Sequence, residues 1–452
     1  MEDVFRHIEE HQQEAIEDLV RLCRLPSVSA EGRAIEETAE LVSEMLGSLG
    51  FRTQILPKAG GQPVVYGELS GASREKTLLF YNHYDIQPAE PLDLWSSPPF
   101  EPALRDDKLY GRGVCDNKGN IAARLAVIRA FQAVRGQVPL TLKFCIEGDE
   151  EIGSPGIEPF VEEQRQLLAA DACLWEGGGV NWQGQPQITL GGKGLLYLEL
   201  EARGANRDAH SSYATVLPNP AWRLLWALAT LKDPQENILI DGFYQRVRPP
   251  TPQERAAVEA MPAEEANRAR SLGIDGFLKG VRGLDYRLRH LFEPTCNIDG
   301  LSSGYQGPGT KTVLPARAKA KLEFRLVPEQ EPEEVLEKLQ RHLRHKGYGD
   351  VEVRCLSAER PARTPIDHPF VGLVCEAARQ VYDQEPVLIP SMAGTGPFYP
   401  FVKTLGLPTV DCGIGHPESR MHAPDENIRL ADFLRSAKHI AAVLERFAAE
   451  EA

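Results

Sequence analysis

Residues 140–154 read LTLKFCIEGDEEIGS. An apolar run, 140–146, ends in a glycine-bounded turn that holds two adjacent glutamates, Glu150 and Glu151. Like charges packed into a turn repel, so a fold that keeps them there supplies a counter-charge, and a metal cation is the strongest candidate. One glutamate then ligates the metal while its neighbour moves protons for a water on it. Taken alone, the pair reads more readily as a solvated acidic turn; the rest of the sequence reverses that preference.

Outward from this stretch, helix and strand patterns alternate. Apolar spacing predicts helices over 1–24 and 34–49, a short strand over 77–81, a helix over 117–134 after a glycine-bearing turn, and strands over 140–146 and 172–175. Strands separated by helices predict an α/β sheet with parallel pairs and helices on its faces. Binding residues in such sheets collect just beyond the carboxyl ends of strands. His83, Glu150, Glu151 and Glu176 all follow apolar runs in that way. Near 191–194 the pattern changes to strand, helix, strand, strand, helix, strand: 195–202, 221–231, 296–301, 316–326, 332–346 and 351–355, with a polar, proline-containing region over 248–270. That order suits a small α+β insert with an antiparallel sheet. After residue 361 the alternating pattern returns, with helices over 370–382 and 430–449. The expected organisation is a discontinuous domain, 1–190 and 361–452, interrupted by an insert over 191–360.

Composition narrows the class. The 452 residues are 42% hydrophobic and 25% charged, ordinary for a soluble globular protein, and too many for one core. The net charge of -15 disfavours nucleic-acid binding, which calls for a basic face. No apolar stretch approaches the roughly 20 residues of a membrane span, and the N-terminus lacks the features of a signal peptide. The expected location is the cytoplasm. The eight cysteines are scattered without a CxxC pair, so metal ligands are expected among His, Asp and Glu.

Five short elements carry chemistry. His83-Tyr84-Asp85 puts Asp85 on the same side of an extended segment as His83, where it can orient the imidazole. Asp116, in GRGVCDNKG over 111–119, is flanked by glycines and precedes a long helix; helix capping is its plainer role. Glu150-Glu151 is the third, Glu176 before Gly177-Gly178-Gly179 the fourth, and His422 in the MHAPDE loop over 421–426 the fifth.

In that order the motifs resemble the zinc peptidase and amidohydrolase family that includes carnosine dipeptidases, carboxypeptidase G, aminoacylase and succinyl-diaminopimelate desuccinylase. Residues 283–287, 311–315 and 324–328 look most similar to the cytosolic dipeptidase branch. The resemblance implies a zinc-peptidase catalytic domain, its mixed sheet flanked by helices, with an inserted α+β domain for lid and dimerisation. It implies two zinc ions per subunit sharing Asp116, with His83 and Glu176 on one and Glu151 and His422 on the other; manganese or cobalt also suits such a donor set. Glu150 is then the general base on a zinc-bridging water, and a cis peptide follows Asp116. In the insert, His210 matches a lid histidine that reaches the neighbouring subunit's site, and Arg325 is a planar fork for the substrate carboxylate. The 391–396 loop, with Thr395, contacts the substrate backbone. Two departures bear on substrate preference: Ala393-Gly394-Thr395 replaces a common Gly-Gly-Ser, and Ser-Ser-Tyr-Ala follows His210. The expected activity is hydrolysis of dipeptides or small peptides with a free C-terminal carboxylate by a homodimer. The alternatives are an N-acyl amino acid deacylase or desuccinylase with the same two zincs, and a non-catalytic binding relative.

Overall fold

Only Lys143 in the strand Leu140–Glu147 is not buried, and the alternation of its side chains explains why. Leu140, Leu142, Phe144 and Ile146 face one apolar layer, while Cys145 faces another. The strand therefore lies inside a sheet covered on both faces. In this computed structural model, which describes residues 1–450, the sheet has eight strands in the order Arg52–Leu56, Val64–Leu69, Leu140–Glu147, Ser73–His83, Ala172–Trp175, Thr409–Asp411, Gln187–Thr189, Val387–Ile389. The pairs at its centre are parallel, and the hairpin Arg52–Leu56/Val64–Leu69 adds an antiparallel edge. The first layer is built by Lys118–Arg135, Pro369–Tyr382, Leu430–Ala449 and the N-terminal helices; the second holds Ile157–Glu163 and the 398–407 segment.

A second sheet is wholly antiparallel, in the order Asn297–Ser303, Arg317–Leu326, Gly194–Arg203, Glu352–Glu359. In Arg317–Leu326 alternate residues from Ala318 to Leu326 are buried. They pack under the helices Pro220–Leu228 and Pro332–His345 in a core of their own. Arg325 and the other odd-numbered residues project from the opposite face. The chain passes between the two sheets twice, and the passages are paired: Gly191–Gly192 lies antiparallel to Ala362–Arg363.

Three expectations about elements need correction. The helix expected over 1–24 is two helices, Glu2–Glu10 and Gln12–Cys23, broken at His11, whose φ of -108° and ψ of 21° leave the helical region. The region 248–270 holds two helices, Pro252–Ala260 and Glu265–Leu272. Their sequences carry no apolar stripe because they bury so little; only Glu254 and Val258 are buried in the first and nothing in the second. With Gly283–Phe292 they add three helices to the insert order. No helix among the described residues is long and apolar enough to cross a membrane.

Candidate metal centre

Sheet geometry brings the motif residues together. His83 ends the strand Ser73–His83 and lies in register with Glu147 on its parallel neighbour. The chain beyond Glu147 must turn at once, and Gly148 permits it: a Cβ there would sit 2.2 Å from the Tyr84 hydroxyl. Glu150 and Glu151 then open a single 3-10 turn that closes at Gly153, whose φ is +88°. Glu176 follows the strand Ala172–Trp175, and Asp116 stands two residues before the helix Lys118–Arg135. His422 arrives from a distant loop. The Asp116–Asn117 peptide is cis, as the resemblance implied.

Asp116 lies between two histidines. Its Oδ1 is 3.0 Å from His83 Nε2 and its Oδ2 is 3.0 Å from His422 Nε2. His83 Nε2 is also 3.7 Å from Glu176 and 4.0 Å from Glu150, and His422 Nε2 is 3.1 Å from Glu151. Two groups thus have donor atoms close enough to hold a cation each: His83, Glu150 and Glu176, and Asp116, Glu151 and His422. The sequence reading placed Asp116 on both and kept Glu150 out of the ligand set; by distance alone Glu150 sits with His83 and Glu176.

The site fits a pair of divalent cations. Ligands about 2.1 Å from a tetrahedral zinc are about 3.4 Å from one another, and the spacings here bracket that value. The electrostatics agree. Burial, then the charge of Glu176, pushes Glu150 well above the ordinary carboxylate range. Burial lifts Glu176 in the same way, and its Oε2 is buried with no hydrogen-bond partner. Burial and then Asp116 raise Glu151. Against its own burial, hydrogen bonds from His422 and His83 hold Asp116 low. His422, bonded to Asp116 and Glu151, is raised to about 10. Four carboxylates around two imidazoles lack positive charge.

Supporting groups fix the geometry. The Asp85 carboxylate accepts the backbone N–H groups of Glu150 and Glu151, 3.1 Å each, and lies 3.2 Å from His83 Nδ1. It therefore aims the imidazole and the glutamate turn together. Gln87 donates to Glu151 Oε2 at 2.9 Å. Two devices were missed in the sequence. Glu426, buried, accepts from the backbone N–H groups of Gly113, Cys115 and Asp116 and from Arg112, gathering the Asp116 loop around one carboxylate. Its place in the MHAPDE motif was a visible signal. Lys58 donates to Glu147 at 2.5 Å and to Asp149, all three side chains being fully buried. A lone lysine in a hairpin loop gave no signal.

Of the three residues expected to meet substrate, two are together: Arg325 Nη1 donates to Thr395 Oγ1 at 2.7 Å, and Glu323 holds Nη2 at 3.0 Å. The loop leads on to Gly396, where a Cβ would sit 2.6 Å from the Trp175 ring and 3.7 Å from Glu150 Oε1. His210 is exposed, bonded to Ser212, and makes no hydrogen bond or ion pair with the groups around Asp116.

Comparison with known proteins agrees with this geometry. The human Beta-Ala-His dipeptidase is 28% identical over 98% of this chain and 92% of its own length. The Cys-Gly metallodipeptidase DUG1 of Saccharomyces cerevisiae is 26% identical over 98% and 97%. Among solved structures, the M20 family metallo-carboxypeptidase Sso-CP2 from Sulfolobus solfataricus superposes with a TM-score of 0.92 at 38% identity, covering 96% of this chain and 99% of its own. Human carnosine dipeptidase 1 superposes at 0.83 with 28% identity, covering 99% and 98%. The family model described as "Peptidase family M20/M25/M40" matches residues 79–446, and the chain belongs to that family.

Proposed function

We propose that this protein is a metallodipeptidase that cleaves the amide bond before a free C-terminal carboxylate. The observation that carries the reading is Asp116, one carboxylate oxygen on each of two histidines, with three further carboxylates around them. His83 and Glu176 would hold one divalent cation, Glu151 and His422 the other, and Asp116 both; zinc is the metal we favour for this donor set. Bound there, the cations would acidify the attacking water and polarise the scissile carbonyl. Glu150 supplies the base. Its carboxylate takes the proton of the attacking water and returns it to the leaving amine. Asp85 holds its backbone in place, and Arg325, braced by Thr395 and Glu323, has guanidinium N–H groups to offer the substrate carboxylate.

The reading extends to organisation. Residues 1–190 and 361–452 form the catalytic domain and 191–360 the lid. A second copy meets the lid, supported by two exposed apolar surfaces: Trp222, Leu225 and Trp226 on Pro220–Leu228, and Ile298 and Leu301 on the edge strand Asn297–Ser303. In that dimer His210 serves the partner's site. The eight cysteines are unpaired, which suits the reducing cytoplasm.

Replacing Glu150 with Gln tests the assignment. Dipeptide turnover should fall by at least about 1,000-fold while metal analysis still finds two ions per chain. Full activity in that variant would refute the role of Glu150. Assay of dipeptides beside N-acetyl and N-succinyl amino acids separates the peptidase from a deacylase.

A further inference from the structure

The open face of the four-stranded sheet carries a row of three side chains set by register. Leu195 is opposite Arg325 on one neighbouring strand and opposite Glu359 on the other. Directly opposed residues share a face, and Arg325 and Glu359 are two strand spacings apart, about 9.6 Å. The two ends of the row meet different segments of the chain. Arg325 donates to Thr395, next to Gly396 and hence beside Glu150. Glu359 reaches the glutamate turn: a Cβ added at Gly153 would lie 3.5 Å from its Oε1.

Among the described residues Glu359 has no ion-pair partner within contact distance. No hydrogen bond holds its carboxylate among the described residues; burial first and the charge of Glu147 second push its pKa up to about 7, with Arg325 opposing. It lines a cavity of about 380 Å³ whose other walls include Ile152, Leu356, Pro397 and Tyr399, with Arg360 there already paired to Glu158 and Glu331. An unpaired, half-buried carboxylate with apolar surface beside it is completed by a cation carried on an aliphatic stem.

We propose that Glu359 selects substrates whose C-terminal residue is basic, lysine or arginine, its α-carboxylate on Arg325 and its side-chain cation on Glu359. This rests on the peptidase reading and adds the substrate class. An extended lysine carries its ammonium roughly 7 Å from its own α-carboxylate by standard bond lengths. The long side chains of Arg325 and Glu359 lean in to meet the two charges, with the stem lying over Leu195. An acidic C-terminal residue would put like charge against Glu359, and an aliphatic one would leave that carboxylate desolvated and unpaired.

The test uses the zinc-loaded protein with Ala-Lys, Ala-Leu and Ala-Glu. The expected order of kcat/KM is Ala-Lys, then Ala-Leu, then Ala-Glu. Glu359→Gln lowers the Ala-Lys to Ala-Leu ratio of kcat/KM about tenfold, chiefly through KM for Ala-Lys, and Glu359→Lys reverses the preference between Ala-Lys and Ala-Glu. Wild-type preference for Ala-Leu over Ala-Lys overturns the inference without any variant, and so does an unchanged ratio in an active Glu359→Gln protein. A wild-type protein that cleaves none of the three peptides sinks the peptidase reading and this inference with it.

Discussion

Most of the candidate metal-site residues share a trait that made them legible: they stand where an apolar run or a glycine-rich turn stops. His83 ends a strand of one sheet and Glu150, Glu151 and Glu176 stand just beyond the ends of its neighbours, so their proximity follows from the parallel pairs. The residues that aim them were not legible, because their partners are remote in sequence. Lys58 meets Glu147 and Asp149 from 89 and 91 positions away. That contact bears directly on the turn that holds Glu150 and Glu151. Glu147 and Asp149 precede Glu150, Asp149 Oδ2 also accepts the Gln62 N–H at 2.7 Å, and Glu147 accepts the Tyr81 hydroxyl at 2.5 Å. Removing the lysine charge leaves two fully buried carboxylates without their cation. Lys58→Met should therefore destabilise the fold by about 3–5 kcal/mol, read as a lower thermal midpoint, and reduce dipeptide turnover. Adding Glu147→Gln and Asp149→Asn to it should recover part of the stability, since the unpaired charges carry the penalty. No recovery would mean that the lost packing of the lysine stem dominates.

At the scale of elements, strongly patterned segments were readable and weakly patterned ones were not. The helix Leu430–Ala449 coincides with its apolar period, and Leu140–Glu147 with its apolar run. The edge strand Arg52–Leu56 is mostly exposed and shows no alternation to read; it is a strand because Val64–Leu69 pairs with it. The contact between Leu430–Ala449 and Pro369–Tyr382 has a further consequence that periodicity does not reveal. His439, buried between them, donates its Nε2–H to the Val374 carbonyl at 2.9 Å. Burial, opposed only by that bond, lowers its pKa from 6.5 to about 4. The neutral form is the one the fold holds, so its contribution is fully present above pH 6.5 and is lost as pH falls toward 4. The unfolded chain takes up a proton in that window and the folded protein does not. Between pH 6.5 and pH 5 this amounts to about 2 kcal/mol. His439→Gln keeps an N–H donor but does not titrate. In urea unfolding of the metal-free protein at those two pH values, the variant should lose about 2 kcal/mol less than the wild type on acidification. Equal losses would show that His439 is protonated in the fold.

For the whole molecule, the question is whether one chain makes a complete site. The groups around Asp116 come from one chain, whereas His210 stands exposed in the proposed lid and, among the described residues, its side chain bonds to its neighbour Ser212. Two readings follow from the proposed dimer. If His210 folds over its own chain's site, a defect in Glu150 and a defect in His210 on different chains cannot repair each other. If it crosses to the partner, they can. Consider Glu150→Gln and His210→Ala proteins, each inactive alone, unfolded and refolded together in equal amounts. Random pairing makes half of the dimers mixed. In a mixed dimer with crossing lids, the chain that keeps Glu150 receives His210 from the other chain, and the opposite site lacks both. One site in two is then complete, and the mixture should regain about a quarter of wild-type activity by symmetry. With lids acting on their own chain every site lacks one residue or the other, and no activity returns. Replacing Trp226 with Glu on the exposed face of Pro220–Leu228 separates the proposed dimer itself from the reach of His210: a monomeric variant should keep its two metal ions yet fail to turn over dipeptide, as the His210→Ala protein does. A fully active monomer would show that the lid serves its own site and that the second copy is dispensable.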